Sequence, residues 1–180
     1  MKRTVATTLL CTIIILVSLQ FFFASSVCVL ADETVVKTID DVYISSNNPT
    51  TNYDADNLYI GNTTTLGLMR TLLKFNVSQL ETGSYTLKLY ARSTSTAENI
   101  TLYSVTDDSW TEETVTWNTA PSLGTSLAVS STGGETGWVS FESSALNTFI
   151  NEQKSGDGVA SFYVVYDSVS EGEYSKFWDK

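Results

Sequence analysis

The chain reads as all-β: a jelly-roll-like β-sandwich of antiparallel strands with one short helix, preceded by an N-terminal apolar signal or anchor helix. Three observations predict this. From residue 32 onward the sequence is rich in Thr, Ser, Val and Tyr, a composition in which residues suited to a pleated, half-buried surface are prominent. Its periodic runs are short and separated by Gly, Asn, Asp and Ser, the spacing of many strands and turns. Residues 84–93 alternate cleanly, with Tyr85, Leu87, Leu89 and Ala91 one way and Thr86, Lys88, Tyr90 and Arg92 the other. That is the period of a strand with one buried face.

The elements follow in order. Lys2 and Arg3 precede an uncharged apolar run over residues 9–30. A basic start, an apolar stretch and small residues near its end make a secretory signal, with cleavage expected after Ala31. A run of this length could instead remain as a membrane anchor, and lipid attachment at Cys28 is a third route. Cleaved or anchored, residues 32–180 lie outside the cell, because the basic start stays on the cytoplasmic side. The domain boundaries are therefore 1–31 and 32–180.

Within the domain, strands are expected over 35–45, 58–61, 68–77, 84–93, 99–106, 137–141, 159–166 and 174–178. Asn48-Pro49 breaks the loop at 47–56, and Gly133-Gly134 turns the chain before 137–141. Residues 110–121 read as loop and short strand. The helix is expected over 144–154, where Ala145, Leu146, Phe149 and Ile150 share a face behind a serine cap. Residues 159–166 are apolar or aromatic apart from Ser161, typical of a central buried strand.

Composition excludes several functions. The chain carries a formal charge of −10 and no histidine, which removes the commonest general base and the commonest zinc ligand together. Cys11 and Cys28 both lie in the N-terminal run, so the exported domain has no thiol, disulfide or cysteine metal site. Lys2 and Arg3 aside, eight cations face 20 acidic side chains, a surface that repels phosphate backbones and argues against nucleic acid. Asp107-Asp108 and Glu112-Glu113 are adjacent pairs that read as solvated loop charge rather than convergent catalytic carboxylates. The chain is read as a non-enzyme.

Six segments in sequence carry a family likeness: PTTNYDADNLYIG (49–61), RTLLKFNVSQL (70–80), SYTLKLYARS (84–93), ITLYSVTDDSWTEETVTWNTAP (100–121), GWVSFESS (137–144) and SFYVVYDS (161–168). This order resembles the DNRLRE and disaggregatase-related domains, also described as carbohydrate-binding module family 96. The stretch WTEETVTWNTAP is its most specific piece, and the likeness covers about residues 36–180. The resemblance implies a jelly-roll sandwich that binds cell-surface or matrix polysaccharide, with alginate-like acidic glycans among the ligands. Family members continue into one more strand past Phe177-Trp178, and a sandwich without it would leave an unpaired sheet edge; the resemblance therefore leaves three readings open: a fragment, a strand supplied by a partner, or a shortened sandwich.

A sugar site needs aromatic faces for the ring and polar groups for hydroxyls; a uronate also needs Arg or Lys. Arg70 and Lys74 share a face of one expected strand, and Lys88, Tyr90 and Arg92 a face of the next. Were the two strands neighbours, they would make one basic, aromatic strip, the candidate ligand site. Arg70 could alternatively be a buried partner of Asp40 or Asp41. Tyr43, Tyr53, Tyr59 and Tyr103 are further stacking candidates. Trp110 and Trp117 read as structural, and Trp138 as core. Asp40, Asp41, Asp54 and Asp56 could supply oxygens to a structural calcium ion. Asn62, Asn76 and Asn99 stand in N-glycosylation sequons. The alternatives to a glycan-binding module are a structural or adhesive surface domain acting through protein contacts, and a polysaccharide-degrading enzyme.

Overall fold

The computed structural model describes residues 34–55, 57–95 and 98–179. The apolar run 9–30, with its signal or anchor expectation, lies outside them. Among the described residues no helix is long and apolar enough to cross a membrane. One compact unit spans Thr34–Lys180. It contains every ladder and both apolar clusters of the described residues, so it holds the core it needs to fold alone.

Nine strands and one helix follow in chain order: β1 (Thr38–Ser45), β2 (Asn57–Thr63), β3 (Gly67–Asn76), β4 (Leu87–Thr94), β5 (Asn99–Val105), β6 (Ser126–Ser131), β7 (Gly137–Phe141), α1 (Ser144–Ser155), β8 (Val159–Tyr166) and β9 (Tyr174–Trp178). All pairings are antiparallel, in the order β6-β5-β8-β3-β2-β9-β4-β7, with β1 on the other side of β3. β3 is the corner. Its residues 71–76 pair with β8, whereas Gly67–Met69 pair with β2. The path thus bends into two layers, β1-β3-β8-β5-β6 and β2-β9-β4-β7, which we call the first and second sheets.

Apolar alternation explains the layers. Leu73, Ile100, Leu102, Phe162 and Val164 of the first sheet meet Leu58, Ile60, Leu87, Leu89, Val139, Phe141 and Phe177 of the second in one cluster. Helix α1 closes one part of it with Leu146, Phe149 and Ile150; Ala145, expected on the same face, is exposed. The Ser143 hydroxyl caps the helix, accepting from the Leu146 N–H at 2.9 Å, and satisfies one of the otherwise unpaired first-turn donors.

Strand β6 lies outside the expected set: its two consecutive buried residues, Leu127 and Ala128, break the period-two signal at a bulge in its pairing with β5. The final strand β9 is hydrogen-bonded on both sides, to β2 and to β4. Gly61 makes room for it. With φ at +138°, a side chain there would lie 2.3 Å from the Glu173 carbonyl oxygen.

Candidate functional site

A second apolar cluster lies on the outer side of the first sheet. Val42, Ile44, Leu72, Val105 and Tyr163 are covered there by Trp110 and Val115, with Trp117 packed against them. The covering segment, 106–125, is pinned along its length. Asn52 donates to the Glu112 and Val115 carbonyls at 2.7 and 2.8 Å. The Glu112 carboxylate accepts from the Asp41 N–H at 2.9 Å, and the Tyr163 hydroxyl donates to the Pro121 carbonyl at 2.8 Å. Burial pushes the Tyr163 phenol up to about 12, so it stays neutral, and stays a donor, at ordinary pH.

Two of the expected ligand residues fall beneath this segment. Lys74 is 6 % exposed. Its ammonium pairs with Asp40 at 3.0 Å, donates to the Trp110 carbonyl and lies 4.4 Å from the centre of the Trp110 ring. Arg70 is half-buried with its guanidinium 5.0 Å from the centre of the Trp117 ring. Both serve as fasteners for a covering loop, and the partner expected of Arg70 among Asp40 and Asp41 belongs instead to Lys74.

Lys88, Tyr90 and Arg92 lie on the opposite side of the molecule. β3 and β4 are separated by β2 and β9, so the five residues do not make one strip. The expectation of neighbouring strands fails because the last strand of the chain inserts between the early ones, an event that local periodicity does not encode.

Among the described residues the outer side of the second sheet is uncovered and aromatic. Trp138 is 68 % exposed and Trp178 50 % exposed, which corrects the reading of Trp138 as core: Val139 and Phe141 take the buried positions of β7. The Tyr90 and Trp138 rings meet edge-to-face at 5.2 Å and 85°, a favoured aromatic geometry. The Arg92 guanidinium stacks 3.5 Å above the Trp178 ring centre and donates to Asn57 Oδ1 at 2.5 Å. Further along, Lys176 sits 5.5 Å from the Tyr59 ring centre, and Tyr59 neighbours Tyr43 and Tyr174. Tyr43 stacks on Tyr53 at 4.6 Å, and burial raises its phenol to about 12. A shallow cavity of about 230 Å³ lies between Tyr59, Ser93, Tyr174 and Lys176. Tyr103 packs instead beneath the covering loop.

Charge separates the two sides. Strands β2, β4, β7 and β9 carry Lys88, Arg92 and Lys176 and no Asp or Glu, although acidic residues outnumber basic ones 20 to 10 in the whole chain. Carboxylates appear only in flanking residues such as Glu142, Glu173 and Asp179. The arrangement offers apolar ring faces, amide and hydroxyl groups and three cations on an open surface.

The acidic candidates are dispersed. Asp40 is engaged by Lys74 and by the Glu112 N–H at 3.2 Å; Asp41 accepts from the Thr38 hydroxyl at 3.0 Å. Asp54 is exposed, and Asp56 lies outside the described residues. Among the described residues no group of three or more acidic side chains comes together as a metal site would require. Asp107 is held below the usual carboxylate range by hydrogen bonds from Ser109. Asp108 is pushed up by desolvation and by the neighbouring Asp157. Of the sequon residues, Asn76 and Asn99 are exposed and Asn62 is half-buried.

Compared with known families, residues 32–177 match the model of carbohydrate-binding module family 96. A search of curated proteins returns no match.

Proposed function

The chain belongs to carbohydrate-binding module family 96, and on that premise we propose that it is an exported, non-catalytic module that binds an acidic polysaccharide on the outer side of the second sheet. Family membership supports carbohydrate as the ligand and a binding rather than catalytic role. One observation carries the choice of face and of ligand charge. Exposed Trp138 and Trp178 stand among Lys88, Arg92 and Lys176 on four strands without a carboxylate, in a strongly acidic chain. Indole faces suit the apolar side of a sugar ring, and a guanidinium matches a carboxylate with two parallel hydrogen bonds. Export is supported by the basic and apolar character of residues 2–30.

Affinity electrophoresis of residues 32–180 through gels containing polygalacturonate, alginate or their carboxyl-reduced counterparts tests the proposal. Retardation by a uronate polymer is expected, weaker in its neutral counterpart and weaker again as salt shortens the reach of the exposed charges, to about 10 Å at 0.1 M. Migration unaffected by every polysaccharide overturns it and leaves the aromatic face to a protein partner.

A further inference from the structure

The outward residues of the second sheet fall into rows that run across its strands. Trp138 of β7 lies opposite Tyr90 of β4. Ala91 pairs with Phe177, which sets Tyr90 beside Trp178 of β9, and Trp178 lies opposite Asn57 of β2. Trp138, Tyr90, Trp178 and Asn57 therefore occupy one row. Arg92 joins it through an irregularity. The β4–β9 register slips between Ala91 and Ser93, and the extra residue lays its guanidinium on Trp178 and against Asn57.

The row contains two unlike binding elements. At the β7 end is an apolar platform, the exposed Trp138 indole in edge-to-face contact with Tyr90. Over β9 is a carboxylate clamp, Arg92 held flat by Trp178 and turned by Asn57. Two strand spacings separate them, about 10 Å. That is further than one sugar ring reaches. A single ring engages the platform or the clamp, whereas a run of about three rings engages both.

Among the described residues no strand is hydrogen-bonded beyond either end of the row: β7 ends the sheet path, and β2 pairs with β3 only over Gly61–Thr63.

We propose that this row binds an internal run of about three sugar rings laid across the strands, the outer ring stacked on Trp138 and the carboxylate of a ring two positions away held by Arg92. The inference rests on the acidic-polysaccharide reading and adds length, direction and polarity to it. Trp178 and Asn57 act through Arg92 and are positioning residues. Joining two weak contacts on one chain makes the second contact intramolecular, so affinity should climb in a step rather than smoothly.

The test is isothermal titration of residues 32–180 with oligogalacturonates and oligomannuronates from the single ring upward, alongside the parent polymers. For one of the two series, the expected result is a gain of at least about tenfold between two rings and three, a plateau beyond about four, and no loss when the reducing end is reduced to the alditol in longer oligomers. In Trp138→Ala the step should disappear while the two-ring oligomer keeps its affinity. Trp138→Phe should restore part of the step, a result that general damage to the fold would not give. A polymer that binds while its single ring binds within about threefold of the longest oligomer overturns the inference alone. So does a step that survives Trp138→Ala. Absence of binding by polymers and oligomers alike overturns the inference together with the reading beneath it.

Discussion

Asp40→Ala should cost the domain about 3 kcal/mol of stability, the lower end of what removal of one partner from a buried ion pair costs. The Lys74 side chain is 8 % exposed and the Asp40 side chain 18 %, so the ammonium left behind is almost fully out of water. Its remaining direct contacts, the Trp110 carbonyl and ring, carry no charge, and Asp108, which feels the ammonium from further off, should offset only part of the lost partner. The loss would also release the Glu112 N–H from Asp40 Oδ1 and so loosen the loop that carries Trp110 to Pro121. Replacing both partners by apolar residues of similar volume, Asp40→Leu with Lys74→Met, should restore most of the stability, because no charge is then stranded. Urea unfolding of the three proteins checks this. A loss below about 1 kcal/mol in Asp40→Ala would show that the pair does not secure the covering loop.

Arg92→Ala should weaken binding of a uronate polymer by about 1.5–3 kcal/mol, the range for hydrogen bonds to charged groups, which is roughly 10- to 150-fold in Kd. Arg92→Lys should recover little of it. A lysine ammonium is a point charge and cannot present the planar, two-pronged edge that Trp178 and Asn57 hold in place. The informative contrast is Arg70→Ala. Arg70 has the same charge and an aromatic partner of the same type, but it lies under the covering loop. Its loss should leave affinity unchanged and cost stability on the scale of one partly exposed cation–π contact, about 0.5–1 kcal/mol. Equal loss of binding in the two variants would mean that net charge, rather than the second sheet, attracts the polymer.

Much of this architecture is legible in the sequence, and the limits are physical. The alternation of residues 84–93 correctly separates Leu87, Leu89 and Ala91 from Lys88, Tyr90 and Arg92, although the strand begins only at Leu87: Tyr85 is tied to α1 through Asn147 and Asn151. The helix is legible because its serine cap and its Leu146, Phe149, Ile150 face are local signals. Strand order is not local. Arg70 and Lys74 share a face of β3, as their spacing requires, yet that face looks out from the first sheet while Arg92 looks out from the second.

The exposed tryptophans were legible in part. In residues 137–141, Val139 and Phe141 already claim one side by period two, which leaves Trp138 and Ser140 on the other. The core position expected of Trp138, from its place after a glycine at a strand start, runs against that alternation. Trp178 follows the same rule, opposite Phe177. What no periodicity supplies is the register slip beside Arg92, which brings the guanidinium onto Trp178.

The four indole N–H signals provide the most direct test, since the tryptophans divide evenly between the two sides: Trp110 and Trp117 on the first sheet, Trp138 and Trp178 on the second. In a proton–nitrogen NMR titration of residues 32–180 with oligogalacturonate or oligomannuronate, whichever parent polymer binds, the Trp138 and Trp178 indole signals should shift while those of Trp110 and Trp117 stay in place. Shifts confined to Trp110 and Trp117 would contradict the assignment of the glycan to the second sheet.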